Sequence, residues 1–445
     1  MSRLKNILSY KNWNKDENVY KDTHDNKKKD TQDNTIMSKL LNKYYEIKKK
    51  VMKKIRGLGR RLVVLLYKIE VKVLPVNKEI IVFESSMGRN YTGNPRAIYE
   101  KMVELGLDQQ YRCYYMLDHI DTPIAGNGKV LKRTRAKYFF IMGLAKVIVS
   151  DSRMPQYIIK RKETHYIQTW HGTPLKKLAL DMDSVNMAGE TDIDKYKRSF
   201  YENTRTWDYL LSQNQFSTEI FKRAFAFDKT MLEIGYPRND VLFRKNNIAD
   251  RNQIKESLGL PLDKKVILYA PTWRDNEYHH KGAYKFNSAM DFDLLKENLG
   301  DEYICIVKYH YLVKDHRDWS TYKGFVYDFD RCEEISQLYL VSDILITDYS
   351  SVMFDYSLLN RPCFFFAYDL ENYKNNLRGF YFDFIKEAPG PIVTTTMELI
   401  QAINEFDPKD YEEKYKAFTK KFNHADNGKA SDKVVNLIQK IIREA

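Results

Sequence analysis

The stretch "IQTWHGTPLKKLALD", residues 167–181, joins a strand pattern to a lysine-bearing helical pattern through a histidine. The strand is predicted over Tyr166–Thr169, and Trp170–Pro174 follow it. Residues just past the carboxyl end of a strand bind ligands in parallel α/β sheets. Gly172 allows a ligand close to the backbone, the N–H groups of a following helix favour an anion, and His171 can accept a proton near neutral pH. A histidine that only stabilises a turn is the alternative.

The same alternation of strand, loop and helix runs along the chain from residue 79. Apolar strands are predicted at Glu79–Glu84, Tyr111–Leu117, Val147–Ser150, Tyr166–Thr169, Tyr209–Ser212 and Leu232–Ile234, and then at Val266–Ala270, Tyr303–Lys308, Ile344–Thr347 and Pro362–Ala367. Short apolar strands separated by helices are typical of doubly wound parallel sheets. We therefore predict an α/β protein with two Rossmann-like domains, residues 76–245 and 246–445, that face a cleft. Lys245–Asn252 and Pro261–Asp263 mark the expected linker.

Composition excludes several classes of protein. Four scattered cysteines without a C-x-x-C pair argue against a disulfide framework or a zinc site, so a reducing cytoplasm is the expected setting. No secretory signal or membrane-spanning segment is expected, because the first 35 residues are polar and the longest apolar runs are about six residues. The chain contains no G-x-G-x-x-G or G-x-x-x-x-G-K-[ST] motif, so dinucleotide and P-loop chemistry have no support.

Positive charge is concentrated in the first 75 residues, which carry 20 Lys and Arg against 8 Asp and Glu, whereas the rest of the chain carries 53 against 52. The near-neutral body argues against a nucleic-acid partner. Residues 1–35 are predicted to be a polar tail, and residues 37–74 a basic helix. Its apolar stripe consists of Leu40, Tyr44, Ile47, Val51, Ile55, Leu58, Leu62, Leu65, Ile69 and Val73. Such a helix binds an anionic membrane surface, and the alternative is a helix packed on the body.

A second polar cluster lies in "ILITDYSSVMFDY", residues 344–356. The predicted strand Ile344–Thr347 ends in Asp348 and Tyr349, and Ser350 and Ser351 then begin a helix. Hydroxyl and backbone N–H groups at such a position suit a diphosphate. Ordinary N-capping by serine is the alternative.

Three shorter motifs also follow apolar strands: "GYPRND" (235–240), "YAPTWRD" (269–275) and "VKYHYLV" (307–313). Arg238, Arg274 and Lys308 are candidate phosphate ligands, and His310 is a candidate donor to a leaving phosphate. Five polar strand ends together predict one cleft for an anionic substrate. Since none of these five motifs contains D-x-D, we expect neither a metal nor a cofactor.

These motifs resemble the CDP-glycerol glycerophosphotransferase family, the teichoic acid primases and polymerases. The resemblance rests on WHGTP followed by L-K, GYPR, APTWR, the H-Y pair after a strand, and "SDILITDYSSVMFDYSLLNRPCFFFAYDLENY" with the later "LRGFYFDF" and "PGPIV". It covers roughly residues 78–440, and residues 1–75 contain no recognised motif.

The resemblance implies a GT-B fold, peripheral (monotopic) attachment to the cytoplasmic face of the cell membrane, and transfer of a polyol phosphate from a CDP-activated donor. The acceptor would be a hydroxyl of a lipid-linked polyol phosphate, and CMP would leave. The family motifs give His171 the role of base, with His310 at the leaving group, and they place around the donor Arg238, Thr272, Trp273, His310, Ser350 and Ser351.

Glycerol is the expected polyol. The alternatives are a CDP-ribitol transferase, a GT-B glycosyltransferase that uses a nucleotide sugar, and a non-catalytic protein that binds membranes or nucleic acid. The motifs themselves do not distinguish glycerol from ribitol, one addition from many, or a wall polymer from a capsule, and they leave the oligomeric state open.

Overall fold

The computed structural model describes residues 61–185, 191–272, 278–280, 283–284, 289–309, 318–329, 334–370 and 379–444, together with a few isolated residues between 43 and 59. The chain divides into two compact units, Met1–Leu65 and Leu66–Ala445, and both large sheets belong to the second unit.

The first sheet has seven parallel strands in the order β3-β2-β1-β4-β5-β6-β7. Its strands are β1 (Asn77–Glu84), β2 (Arg112–Leu117), β3 (Lys129–Lys132), β4 (Ala145–Ser150), β5 (His165–Gln168), β6 (Tyr209–Ser212) and β7 (Thr230–Glu233). The helices of this part are α1 (residues 61–73), α2 (Gly93–Glu104), α3 (Ala136–Leu144), α4 (Ile193–Thr204), α5 (Gln215–Ala224) and α6 (Asp240–Arg244).

The second sheet has six parallel strands in the order β12-β11-β8-β13-β14-β15, and a separate two-stranded hairpin pairs β9 with β10. The strands are β8 (Lys265–Tyr269), β9 (Tyr278–His280), β10 (Ala283–Tyr284), β11 (Tyr303–Val307), β12 (Val326–Asp328), β13 (Ile344–Thr347), β14 (Cys363–Phe366) and β15 (Ile392–Val393). The helices are α7 (Ile248–Ser257), α8 (Phe292–Leu299), α9 (Ile335–Val341), α10 (Val352–Tyr356), α11 (Phe384–Glu387), α12 (Thr396–Asn404), α13 (Pro408–Phe422) and α14 (Ala430–Arg443).

Once the β9–β10 hairpin is set aside, six strands follow the same order in both sheets: third, second, first, fourth, fifth, sixth; the first sheet adds a seventh strand after the sixth. This is the Rossmann order, in which the direction of winding reverses between the first and fourth strands. The reversal lies between β1 and β4 in one sheet and between β8 and β13 in the other. Loops at the carboxyl ends of these two strand pairs are therefore the expected positions for a ligand site.

The central strands are apolar because helices cover both faces of each sheet. Every residue of β4, β11, β13 and β14 is buried, as is typical of parallel sheets that do not face water. The last helix, α14, belongs to the core of the first sheet, where Val434, Ile438 and Ile442 cluster with Ile81 and Val147. The predicted domain limits, 76–245 and 246–445, do not account for this helix, and they remain a prediction.

The predicted α/β architecture with two doubly wound parallel sheets is confirmed. All ten predicted strands are present, with ends that differ by at most two residues. The sequence did not predict β3, β12, β15 or the β9–β10 hairpin, which are two to four residues long and give no clear alternation. The expected linker is partly helical, since α7 begins at Ile248 within it.

The predicted basic extension lies mostly outside the described residues, which include only its last part as a continuous segment, residues 61–75. There, α1 accounts for residues 61–73. In the described ranges, no helix has both the length and the apolar composition that crossing a membrane requires.

Candidate active site

Trp170, which precedes His171 in the loop after β5, has a strained backbone and a well-packed side chain. Trp170 has a left-handed backbone with φ of 50°, a conformation that costs about 1–2 kcal/mol for a residue other than glycine. Its N–H donates to Oε1 of Gln168 at 3.0 Å, and its indole packs on Phe225 with ring centroids 4.6 Å apart. The indole also stacks on the His171 ring, with centroids 4.4 Å apart. The Trp170 turn is therefore fixed, and the His171 side chain extends outward from it.

The imidazole of His171 has one nitrogen committed to the protein. Nδ1 lies 3.0 Å from the carbonyl oxygen of Asp151, and because a carbonyl only accepts, Nδ1 carries the proton and Nε2 is the basic nitrogen. The side chain is exposed on its outer side. Loss of solvation against the protein lowers the pKa of His171, and the charge of Arg238 lowers it further, whereas Asp151 opposes both. A lowered pKa keeps the ring neutral near pH 7.

Asp151, which directly follows β4, connects this loop to the end of β1. Its carboxylate accepts hydrogen bonds from the Ser86 backbone N–H at 2.8 Å and from Ser152 Oγ at 2.6 Å. Burial raises the pKa of this carboxyl above its ordinary value. Three consecutive residues beside it, Ser86, Met87 and Gly88, have left-handed backbones with φ of 49°, 57° and 81°. The loop after β1 is thus held in an unusual shape against Asp151.

The helix predicted directly after Gly172 is wrong. The segment that follows is extended and pairs with residues about 200 positions later: the Lys177 N–H donates to the Gly379 carbonyl, and the Tyr381 N–H donates to the Leu175 carbonyl, both at 2.9 Å. Because this pairing uses the backbone groups that a helix would need, residues 173–185 form no α-helix. The expected anion site at a helix start after His171 is therefore absent from the described residues.

Arg238, at the turn after β7, joins the two sheets. Nη1 donates to the carbonyl oxygen of His171 at 2.8 Å, and Nη2 forms an ion pair with the Asp355 carboxylate on α10. The guanidinium is largely buried, and within the described residues its Nε has no hydrogen-bond partner. The sequence predicts Arg238 as a phosphate ligand, whereas the structure uses two of its nitrogens to fix the His171 loop and α10.

The two sequence motifs singled out first meet directly. A Cβ added to Gly172 would lie 3.0 Å from Ser351 Oγ, so a residue with a side chain at this position would require Ser351 to shift. Ser350 Oγ accepts from the Val352 N–H at 3.4 Å, while no described hydrogen bond caps α10 through the Ser351 side chain. The structure therefore brings His171, Arg238 and the Ser350–Ser351 pair into one region.

Of the remaining predicted site residues, two follow strands of the second sheet and three lie outside the described residues. The Thr272 N–H donates to the Asp348 carboxylate at 2.8 Å, which joins the ends of β8 and β13, and the Lys308 N–H donates to the Tyr269 carbonyl at 2.9 Å. Lys308 thus lies at the end of β11, beside β8. The other three predicted residues, Trp273, Arg274 and His310, lie outside the described residues.

A buried polar cluster beneath Arg238 was missed by the sequence reasoning. Gln213 Nε2 donates to Asp426 at 2.9 Å and to Asp355 at 3.3 Å, and Asn239 Nδ2 donates to the same carboxylates at 3.3 and 2.9 Å. Gln213 follows β6 directly, which is the pattern that identified the other site residues. Asp426 gave no such signal, because it lies between α13 and α14, about 190 residues from its partners after β7.

Two carboxylates share this cluster, and they differ in their surroundings. Asp355 faces the Arg238 guanidinium, whereas the donors to Asp426 found among the described residues are neutral and include the Tyr236 N–H at 3.0 Å. Burial raises the pKa of Asp426 to about 7, against its hydrogen bonds and with a contribution from the Asp355 charge. The cluster is therefore expected to respond to pH.

Replacing Asp426 by asparagine should change the pH dependence of stability. Because folding raises this pKa, the folded chain binds the proton more tightly than the unfolded chain, so the contribution of Asp426 to stability is present below about pH 4 and is lost as the pH rises through about 7. Relative to wild type, Asp426→Asn should gain stability between pH 5 and pH 8, by a few kcal/mol at most, since one pKa unit corresponds to about 1.4 kcal/mol. Denaturant unfolding at both pH values measures this, with the exposed Asp301→Asn as control. A difference from wild type that stays constant with pH would contradict the assignment.

Comparison with known proteins identifies relatives over most of the chain. Residues 65–440 match the sequence profile of the family described as CDP-Glycerol:Poly(glycerophosphate) glycerophosphotransferase. The teichoic acid poly(glycerol phosphate) polymerase of Bacillus subtilis strain 168 is 47% identical over 396 residues, which cover 87% of this chain and 53% of that protein. The protein of the same name from Bacillus spizizenii strain W23 is 46% identical over 391 residues, which cover 87% of this chain and 99% of that protein. The chain thus spans about half the length of the first relative and nearly all of the second.

A solved structure has the same architecture. The wall teichoic acid polymerase TagF, as a histidine-to-asparagine variant soaked with CDPG, superimposes with a TM-score of 0.82 at 43% identity and covers 91% of this chain and 98% of that chain. The α/β, GT-B-like fold and the family inferred from the motifs are both confirmed. The chain belongs to the CDP-glycerol:poly(glycerophosphate) glycerophosphotransferase family.

Proposed function

We propose that this protein transfers glycerol phosphate from CDP-glycerol to a hydroxyl of a lipid-linked polyol-phosphate acceptor, with release of CMP, in teichoic acid synthesis. The observation that carries the proposal is the approach of Gly172, next to His171, to Ser351 at the carboxyl end of the second sheet. A proton acceptor and two hydroxyl donors thereby lie where the two sheets meet. Family membership supports the reaction class, and the names of both polymerase relatives support glycerol as the polyol.

His171 is the proposed general base. Its Nδ1 is occupied by the Asp151 carbonyl, so Nε2 is the nitrogen that accepts a proton. A pKa below the ordinary value keeps the imidazole unprotonated near neutral pH, as a general base requires. The acceptor hydroxyl gives its proton to Nε2 while its oxygen forms a bond to the phosphorus that carries the glycerol.

The leaving group is CMP. As the new P–O bond forms, the bond between that phosphorus and the oxygen shared with CMP breaks, and CMP leaves with the electron pair. Donors aimed at this oxygen stabilise its charge. In this proposal His310 donates to the leaving phosphate, and the donor-binding residues are Arg238, Thr272, Trp273, Arg274, Lys308, Ser350 and Ser351. Through its ion pair with Asp355, Arg238 also keeps α10 beside the His171 loop.

Replacing the base should abolish transfer without unfolding the protein. His171→Ala should lower CMP release from CDP-glycerol by about 10²–10⁴-fold, the usual contribution of a general base. The control is His424→Ala, since His424 contacts Glu233 at 3.2 Å on the exposed surface and should be dispensable. Near-native turnover by His171→Ala would refute the base assignment.

The same assay identifies the polyol. Wild-type protein should release CMP from CDP-glycerol much faster than from CDP-ribitol at equal concentration. Faster release from CDP-ribitol would replace glycerol by ribitol, and turnover of a nucleotide sugar alone would indicate a glycosyltransferase.

Removing the two serine hydroxyls should weaken donor binding. Ser350→Ala combined with Ser351→Ala removes two groups that can donate to a diphosphate, and hydrogen bonds to charged groups contribute about 1.5–3 kcal/mol each. The dissociation constant for CDP-glycerol, measured by calorimetry on the His171→Ala background, should rise roughly tenfold or more. Ser257→Ala, at an exposed position of α7, is the control. Unchanged donor affinity would remove these serines from the site.

We further propose that the protein binds the cytoplasmic face of the membrane peripherally, and α1 supplies the support. Tyr67 anchors this helix to the body: it is 1% exposed, its ring centroid lies 5.5 Å from that of Phe139, and its hydroxyl accepts from the Ile159 N–H at 2.9 Å. Ile69 and Val73, which belong to the predicted apolar stripe, are 50% and 71% exposed. Packing on the body therefore accounts for Tyr67 but leaves Ile69 and Val73 uncovered.

Two more exposed apolar side chains lie next in sequence to the Tyr67–Phe139 contact. Phe140, next to Phe139, is an exposed aromatic side chain, and Leu66 is exposed beside Tyr67. Lys68 and Lys72 lie on the same helix. Exposed apolar groups together with lysines match an interfacial helix, which gains apolar burial and about 1 kcal/mol per basic residue near an anionic surface.

Polar substitution of this surface should weaken membrane binding. The full-length Ile69→Gln/Val73→Gln/Phe140→Gln variant should sediment less with phosphatidylglycerol vesicles, and salt should reduce the binding that remains because it screens charge beyond about 8–10 Å. A matched control replaces the exposed Ile248, Leu262 and Met397 by glutamine. Equal sedimentation of both triple variants and wild type would show that this surface does not contact the membrane.

A further inference from the structure

Asn94, the second residue of α2, uses its buried amide on two separate loops. Its side chain is 1% exposed, and Nδ2 donates to the carbonyl oxygens of Thr169 and Trp170 at 3.3 and 3.1 Å. Its Oδ1 accepts from the backbone N–H of Arg238 at 3.1 Å. A single carboxamide thus contacts the loop after β5 and the turn after β7.

These bonds close a ring around the proposed base. From Asn94 the ring passes to Trp170, then to the next residue, His171, whose carbonyl accepts from Arg238 Nη1 at 2.8 Å. It returns to Asn94 through the Arg238 backbone N–H. The His171 backbone, the Arg238 backbone and the Arg238 guanidinium are therefore all held in place relative to the Asn94 amide.

We propose that Asn94 is a positioning residue, which sets His171 and Arg238 relative to each other for the transfer step. The inference rests on the proposed function of His171. Asn94 does not have to touch substrate: it acts through the left-handed Trp170 turn, whose carbonyl it holds, and through the Arg238 turn.

The chemistry of the carboxamide explains why asparagine is suited to this position. It supplies two N–H donors and an acceptor within one rigid plane, whereas aspartate supplies acceptors only and alanine supplies neither. A strained turn such as that at Trp170 persists only where surrounding contacts determine it. Without the amide, the turn is expected to relax, and a shift of about 1 Å in a catalytic group can cost on the order of 10²-fold in rate.

The test separates positioning from general stability. In the full-length protein, Asn94→Ala and Asn94→Asp should lower kcat for CMP release by about 10–100-fold, while the dissociation constant for CDP-glycerol changes less than about threefold. Asn94→Gln, which retains the amide on a longer side chain, should recover part of the lost kcat and serves as the second variant if the alanine variant does not fold.

Asn203→Ala is the matched control, because Asn203 is also buried and donates to a backbone carbonyl, that of Met154, at 2.7 Å. It should lower the melting temperature without a comparable loss of kcat. If Asn94 variants keep wild-type kcat while His171→Ala is inactive, the inference is overturned and the proposed function stands. An equal kcat loss in Asn203→Ala would show a purely structural role. Retained transfer by His171→Ala would overturn the proposed function, and the inference with it.

Discussion

The ion pair between Arg238 and Asp355 joins the carboxyl ends of the two sheets. The two side chains are 15% and 3% exposed, and removing one partner of such a buried pair typically costs about 3–5 kcal/mol because the other charge is left uncompensated. Arg238 also donates to the His171 carbonyl, while Asp355 also accepts from Gln213 and Asn239. The His171 loop, α10 and the buried cluster around Asp426 are therefore all connected through this one ion pair.

The two sheets have the same hydrogen-bond arrangement at the point where the direction of winding reverses. Just past the first strand, one backbone N–H has no hydrogen-bond partner within the sheet, and the buried carboxylate that follows the fourth strand accepts its hydrogen bond. The Ser86 N–H donates to Asp151 in one sheet and the Thr272 N–H donates to Asp348 in the other, both at 2.8 Å. The carboxylates thus fix the loops at the two points of reversal, where parallel α/β sheets bind ligands. In the first sheet the backbone carbonyl of Asp151 also accepts a hydrogen bond from Nδ1 of His171. Asp151 therefore holds both the loop after β1 and the proposed base.

The sequence predicted what local patterns determine. Apolar runs identified all the central strands, and polar residues after those strands identified His171, Arg238 and Ser351, which the structure brings together. Features that depend on distant pairing were not predictable: the segment after Gly172 has a helical pattern, but its pairing with residues 379–381 makes it extended. For the same reason α14 joins the first sheet although it follows the second. Asn94 and Asp426 were missed because their roles arise from partners more than 70 positions away.

The central claim is that the two sheets meet around a neutral, basic His171. The most direct measurement is the pH dependence of kcat/KM for CMP release from CDP-glycerol. Activity should rise with pH along an acid limb as the imidazole loses its proton, with an apparent pKa below the ordinary histidine value of about 6.5, because loss of solvation on the packed side of the ring and the charge of Arg238 both disfavour the imidazolium. The limb should be absent from the residual activity of His171→Ala. A wild-type profile with no acid limb, or one that persists unchanged in His171→Ala, would contradict the account.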